Sequence, residues 1–407
     1  MNAHDALQSI RLQTGFAPLG EAIGNLTIGK GTLQGQSAFV ALMENRLASG
    51  SFGVAECDKL ASLLRVAASQ HTPMLLYLDS AGARVTQGLP ALGAFRRMFR
   101  SACELVRSGT PLIAVPGTHC YGGASMLAAL ASKRYFCDNT QFAMSGPSIL
   151  AQAAGGSALD EMFRAIAQAT IGAESRIKRG LENVAFSDAI AVPAPCHATQ
   201  RHRDLRVESK ARVTAAEKIQ RKDLALLYPA GYEIQESEGV LSGEARYDET
   251  TVAVLGVVNR KPLGIQQAWA FADRIWRLKE APPARLHVLV DCDSHSAALD
   301  DERMMLSGYV VDVALALAEL SAAGTLVECI VLGTLGGGAY VALAAPVSQV
   351  SVVYGAQIQL LPGKAIASIL GENVDSQHEI DDYVAAGVAE RELRIGMVPA
   401  GASPGKA

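Results

Sequence analysis

Two rhythms of apolar residues alternate along the chain. Residues 74–78 and 112–115 are continuous apolar runs, and 286–290 and 326–332 are apolar runs broken only by His287 and Glu328, as expected of parallel strands buried on both faces. Between them apolar residues recur at helical spacing, as at Leu60, Leu63, Leu64 and Ala67, and predict helices over 55–69, 91–107, 267–279 and 301–322. Residues 25–28 and 38–44 read as a hairpin joined through the glycine-rich 29–35, and residues 251–258 and 262–265 as a second hairpin-like start. Short strands are expected at 135–137 and 350–354, and further helices at 159–171 and 215–227.

The order of these elements repeats. Each half has a buried strand ending in aspartate (Asp79, Asp291), a loop, a helix, another strand and then a glycine turn that opens an alanine-rich helix. The turns are Tyr121-Gly122-Gly123-Ala124 and Leu335-Gly336-Gly337-Gly338-Ala339, and Gly122 follows Asp79 by 43 positions while Gly336 follows Asp291 by 45. So long a period means two copies of one α/β unit, not a solenoid. The expected division is 1–190, a connector over 191–242, and 243–407.

A glycine turn entering a helix aims unpaired backbone N–H groups at one point and lets a ligand oxygen approach them closely. Two such N–H groups stabilise an oxyanion or enolate. The first half offers Gly82 or Ala83 with Gly122 or Gly123; the second offers the loop around Ser294 to Ser296 with Gly336 or Gly337. His119 and His295 flank these loops as candidate proton carriers. Neither turn has the G-x-G-x-x-G spacing of a dinucleotide site or the lysine of a phosphate loop, and no G-x-S-x-G elbow or metal-spaced ligand cluster occurs.

Composition narrows the setting. With 407 residues, 49% hydrophobic and 19% charged, the chain has enough apolar material for two cores. A net charge of -4 gives no electrostatic case for nucleic acid or an anionic membrane. No apolar run reaches the roughly 18 residues of a membrane span, and Met1-Asn2-Ala3-His4-Asp5 lacks the basic start of a signal peptide, so a cytoplasmic location is expected. Seven cysteines without a C-x-x-C pair read as free, buried thiols.

Residues 78–88, Leu-Asp-Ser-Ala-Gly-Ala-Arg-Val-Thr-Gln-Gly, resemble the DSGGAR loop of the carboxyltransferase branch of the crotonase superfamily. Residues 141–147 and Gly50-Ser51-Phe52-Gly53 resemble the β subunit of biotin-independent malonate decarboxylase. Residues 289–291, Asp301-Glu302, Ser307-Gly308-Tyr309 and the glycine triplet are similar to its γ subunit. The resemblance implies two tandem crotonase-like ββα-superhelix domains and a site where the halves meet. It implies decarboxylation of a malonyl thioester, carried on acyl carrier protein or CoA through a phosphopantetheine-type thiol, with no covalently bound cofactor. Gly122 and Gly123 would hold the thioester carbonyl, and Gly336 and Gly337 would face the departing carboxylate. Arg84, Tyr121, Gly146, Tyr340 and Lys364 are the candidate substrate contacts, and a homo-oligomer is expected. Ser294 and His295 depart from the glycine of the γ-subunit loop, so the second pocket is expected to be altered. Carboxyl transfer to biotin on a separate carrier, and an inactive scaffold that binds acyl carriers, stand as alternatives.

Overall fold

The computed structural model describes residues 1–155, 159–180, 182–187, 189–194, 198–205, 216–361 and 378–395. These build two sheets of the same design. The first contains β1 (Ala17–Pro18), β2 (Leu26–Leu33), β3 (Gln36–Met43), β4 (Met74–Ser80), β5 (Leu112–Tyr121), β6 (Lys133–Phe136), β7 (Gln141–Ala143) and β8 (Asn183–Ala185). The second contains β9 (Glu217–Lys218), β10 (Tyr232–Ser237), β11 (Val240–Tyr247), β12 (Thr250–Val257), β13 (Arg285–Cys292), β14 (Leu326–Gly336), β15 (Gln349–Val353), β16 (Gln357–Gln359) and β17 (Arg391–Leu393).

Each sheet opens with antiparallel strands and continues with parallel ones: β3, β4, β5, β6 and β8 in one, β12, β13, β14, β15 and β17 in the other. In both, a short strand pairs with the far end of the central strand, β7 on β5 and β16 on β14. This is the tandem α/β plan that the repeat predicts, and it agrees with the two crotonase-like domains that the resemblance implies.

Several boundaries differ from the sequence reading, each for a local reason. The stretch 29–35 is mostly strand, and the hairpin turns on Gln34 and Gly35 alone, at φ +51° and +81°. Gly29 and Gly31 lie within β2 because the preceding segment crosses there: a Cβ would sit 2.4 Å from Ala17 O at Gly29 and 2.7 Å from Thr14 O at Gly31. The helix expected at 301–322 is two, Leu299–Arg303 and Leu306–Ala322, broken where Met305 takes φ +65°. The helix expected at 215–227 is reduced to Lys222–Leu227. Ile219 N–H instead bonds to Ile234 O at 3.1 Å, drawing the segment onto the second sheet's edge. Residues 262–265 form no strand, since β12 takes β11 as its antiparallel partner.

One continuous apolar core runs through both halves, joining Phe95, Met126 and Leu127 with Val313, Tyr340 and Val341. Polar anchors cross the same boundary. Buried Arg96, on helix Gly88–Arg107, donates to Ala344 O at 3.0 Å and to Glu390 Oε1 at 2.9 Å. Arg100 donates to Ala345 O and Val347 O, each at 2.5 Å. The helices approach so closely that a Cβ on Gly93 would lie 1.8 Å from Ala386 O. A second core on the outer face of the first sheet is covered by Ala6, Leu7 and Ile10 of helix Ala3–Thr14.

Candidate active site

The two central strands do not end where the apolar runs end. Both β5 and β14 continue to the glycine turn because an aspartate holds the extension: Asp79 Oδ1 accepts His119 N–H, and Asp291 Oδ1 accepts Thr334 N–H, each at 3.0 Å. This fixes the register between the copies. Ser80 pairs with Cys120 and Cys292 pairs with Leu335, so Tyr121, Gly122 and Gly123 correspond to Gly336, Gly337 and Gly338. The backbone agrees, with φ +55° at Gly122 and +54° at Gly337. The glycine triplet alone left that choice open, and the match of Gly122 to Gly336 is corrected by one residue.

The strand-end loops correspond in the same way. Phe52 N–H donates to Gly82 O and Arg84 N–H to Phe52 O, both at 2.8 Å, so Ala83 turns its own N–H to the opposite side. In the second half Leu263 N–H donates to Ser294 O at 2.9 Å and Ser296 N–H to Leu263 O at 3.0 Å, so His295 takes the place of Ala83.

Both loops and both helix starts line one cavity of about 560 Å³ between the halves. Its wall is mainly apolar, with Val85, Leu92, Phe95, Met144, Val341 and Leu360 among the lining residues. Apolar walls lower the local dielectric and strengthen any electrostatic contact inside the site.

The backbone donors differ sharply between the halves. Gly122 N–H is bonded to Ala143 O and Met144 O, both at 3.1 Å, and Gly337 N–H to Leu360 O at 3.2 Å. These bonds hold the turns and leave the next residue as the helix-side donor. Among the described residues, Ala83 N–H and Gly123 N–H donate no hydrogen bond, and both residues line the cavity. A Cβ on Gly82 would stand 3.1 Å from Gly123 N, so glycine at 82 keeps that donor open.

In the second half Gly338 N–H is already used, donating to His295 Nδ1 at 3.3 Å. Ser294 Oγ lies 3.1 Å from the same nitrogen, and Ser145 Oγ lies 3.3 Å from Nε2 across the domain boundary. With Nδ1 accepting from a backbone N–H, the ring proton resides on Nε2, facing Ser145 and the Met144 carbonyl. Desolvation lowers the His295 pKa to about 4, partly offset by the bond to Met144, so the ring is neutral.

Beneath Ser145 lies a fully buried ion pair. Glu302 Oε1 accepts Ser145 N–H at 2.8 Å, and Arg176 Nη2 stands 3.7 Å from Glu302 Oε2. Burial pushes the Glu302 carboxyl up to about 7 against the pull of Arg176. The Ser145–His295 contact is not legible in the sequence, and Glu302 enters there only within the γ-subunit-like motif, without a role in the site; residue types alone do not join positions 145, 295 and 302.

The remaining candidates divide. Tyr121 and Gly146 line the cavity, with Tyr121 Oη donating to Gln141 Oε1. Arg84 reaches the rim, but its guanidinium pairs with buried Glu56 and donates to Ser51 O at 2.8 Å, which makes it a structural anchor. His119 is exposed and outside the cavity lining, because its strand position turns the ring toward Asp79 and Tyr121. Tyr340 is fully buried and donates to Val388 O at 2.8 Å, away from the cavity. Gly336 lies in β14 below the turn. Lys364 lies outside the described residues. Six cysteines are described, all buried and free; Cys292, whose pKa burial raises to about 12, donates its S–H to Ser294 O at 3.1 Å. Among the described residues no cluster of three metal-ligating side chains occurs, and no helix is long and apolar enough to cross a membrane.

Residues 11–190 match the family described as Carboxyl transferase domain. The chain is 30% identical over 128 residues to the methylmalonyl-CoA carboxyltransferase 12S subunit of Propionibacterium freudenreichii subsp. shermanii, covering 31% of this chain and 24% of that protein. It is 28% identical over 126 residues to the acetyl-coenzyme A carboxylase carboxyl transferase subunit beta of Gluconobacter oxydans, covering 31% and 44%. The chain thus spans less than half the length of these curated relatives. Among solved structures, a Pseudomonas malonate decarboxylase hetero-tetramer in complex with malonate aligns at a TM-score of 0.40 and 24% identity, over 46% of this chain and 77% of that one.

Proposed function

We propose that the protein decarboxylates a malonyl thioester to the acetyl thioester and carbon dioxide. The observation that carries this reading is the open pair of N–H groups at Ala83 and Gly123, facing an apolar cavity between the half that matches the Carboxyl transferase domain and its structural repeat. When the bond from the α-carbon to the carboxylate breaks, its electron pair moves into the thioester carbonyl and leaves an enolate oxygen. That oxygen is the group two convergent N–H donors stabilise, and each donor in such a hole contributes on the order of 3 kcal/mol. The apolar wall further disfavours the charged carboxylate relative to neutral carbon dioxide. The curated relatives bear names that refer to CoA thioesters, which supports a thioester substrate; acyl carrier protein is the alternative source of the same thiol.

His119 cannot serve as proton source from its exposed position. His295 Nε2–H, beside Ser145, is the candidate group for returning a proton to the α-carbon. A cytoplasmic homo-oligomer belongs to the same proposal.

The test is conversion of malonyl-CoA and of a malonyl carrier protein to the acetyl thioester by purified protein, with and without avidin. Turnover insensitive to avidin is expected. Turnover abolished by avidin would overturn the reading in favour of carboxyl transfer through biotin, and binding without turnover would favour a scaffold.

A further inference from the structure

The two halves carry the same oxyanion architecture, yet only the first has both of its donors open among the described residues. In the second copy the donors corresponding to Ala83 N–H and Gly123 N–H are His295 N–H and Gly338 N–H. The His295 side chain folds back across its own pocket and accepts the Gly338 N–H. The fit is close: a Cβ on Gly338 would lie 3.2 Å from His295 Nδ1, and a Cβ on Gly337 would lie 2.4 Å from Ser294 Oγ. The ring is held from both sides, by Ser294 and Gly338 in its own half and by Ser145 in the other.

We infer that His295 is a specificity-determining residue that closes the second oxyanion pocket to an acceptor carbonyl, so that the carboxyl group is released and not transferred. This rests on the decarboxylase reading above. Passing a carboxyl group to a urea or amide nitrogen breaks the same carbon–carbon bond, forms a nitrogen–carbon bond and moves the nitrogen's proton to the enolate carbon. As the acceptor gives up its proton, negative charge builds on its carbonyl oxygen, which needs donors of its own. In this chain the Gly338 donor is occupied by an internal ligand. Three groups hold that ligand, and the imidazole fills the space an acceptor carbonyl requires.

The experiment compares wild type with His295→Ala, with Ser294→Gly/His295→Ala, which restores the Gly82–Ala83 pattern of the first half, and with His295→Asn, whose side-chain oxygen can accept the Gly338 N–H in place of Nδ1. Free biotin, a cyclic urea, is the probe, and the Gly338 backbone amide is followed by ¹⁵N NMR. Biotin is expected to shift this amide in the two alanine variants and to leave it unmoved in wild type and His295→Asn. Loss of carboxyl from malonyl-CoA should become biotin-dependent in the double variant, at about tenfold or more over wild type, below the 10²–10³ range of a full oxyanion donor. A Gly338 amide that responds to biotin in wild type, or fails to respond in both folded alanine variants, would overturn the inference. If the amide responds as expected while no protein releases carbon dioxide from a malonyl thioester, the closed pocket stands and the decarboxylase reading falls.

Discussion

Gly82 and Gly123 come together so closely that a methyl group on the first would stand 3.1 Å from the backbone nitrogen of the second. Gly82 also sits at φ +92°, where a side chain is strained in its own right. Gly82→Ala should therefore screen the Gly123 donor and bend the loop that presents Ala83. The expected loss is about 10²–10³ in kcat, with thioester affinity changed far less, as for removal of one oxyanion donor. Steady-state kinetics on malonyl-CoA checks this. An unchanged kcat would remove Gly123 from the mechanism.

Arg84 stands beside this pair but is expected to act on stability and not on substrate affinity. Glu56 is 1% exposed and loses its ion partner in Arg84→Ala. Breaking a buried pair on one side typically costs about 3–5 kcal/mol. Denaturant unfolding should show that loss, while KM for malonyl-CoA at a temperature where the variant is folded should change less than about threefold, since no recognition contact is removed.

The pH dependence of stability should show two opposing contributions. Glu302 rises from an ordinary 4.5 to about 7, so between those values the folded protein holds a proton that the unfolded chain releases. Its contribution is full below pH 4.5 and is lost as pH rises toward 7. His295 falls from 6.5 to about 4, so its contribution is full above pH 6.5 and is lost as pH falls toward 4. Across the overlap, pH 4.5 to 6.5, the two offset each other. Glu302→Gln keeps an acceptor for Ser145 N–H and removes one of the pair. Unfolding of this variant should show stability falling with acid from pH 6.5, at up to about 1.4 kcal/mol per pH unit. A slope equal to that of wild type would contradict the assignment.

The contact between halves offers a separate handle. Gly93→Val places carbon against Ala386 O, where a Cβ would meet it at 1.8 Å, so helix Gly88–Arg107 must move away from the second half. Overpacking of this kind costs about 1–3 kcal/mol, and more where backbone is the obstacle. Because Leu92 and Phe95 on the same helix line the cavity, activity should fall along with thermal stability. A variant of normal activity and melting temperature would show that the helix adjusts without disturbing the site.

Tyr340 sets a limit on what neighbouring the glycine turn means. It is buried, and its hydroxyl donates to Val388 O. Tyr340→Phe should leave kcat/KM within about twofold of wild type and cost about 1–2 kcal/mol of stability for the stranded carbonyl.

Much of this arrangement was legible in the chain. The duplicated order of strands, the aspartate at each strand end and the glycine turn before each alanine-rich helix predicted two like domains, and the family resemblance implied a site where they meet. Periodicity could not reveal that β5 and β14 run on past their apolar segments, because the cause is a carboxylate 40 or more positions away: Asp79 for His119, Asp291 for Thr334. For the same reason the sequence could not choose among Gly336, Gly337 and Gly338. Three consecutive glycines look alike until a φ of +54° and a bond to Leu360 O single out the middle one as the turn. The alteration at Ser294 and His295 was visible as a departure from the family loop, but its effect was not, since it depends on the ring folding back onto Gly338. Arg84 reads as a substrate contact in the sequence, because the partner that claims it, Glu56, lies 28 positions away.

The shared core and the Arg96 and Arg100 anchors have a kinetic meaning. Both walls of the cavity belong to a single polypeptide, so each wall meets the other at the effective concentration of a tethered partner, commonly in the millimolar range or above. The walls of this cavity need no second chain to find each other, and diluting the protein therefore does not separate them.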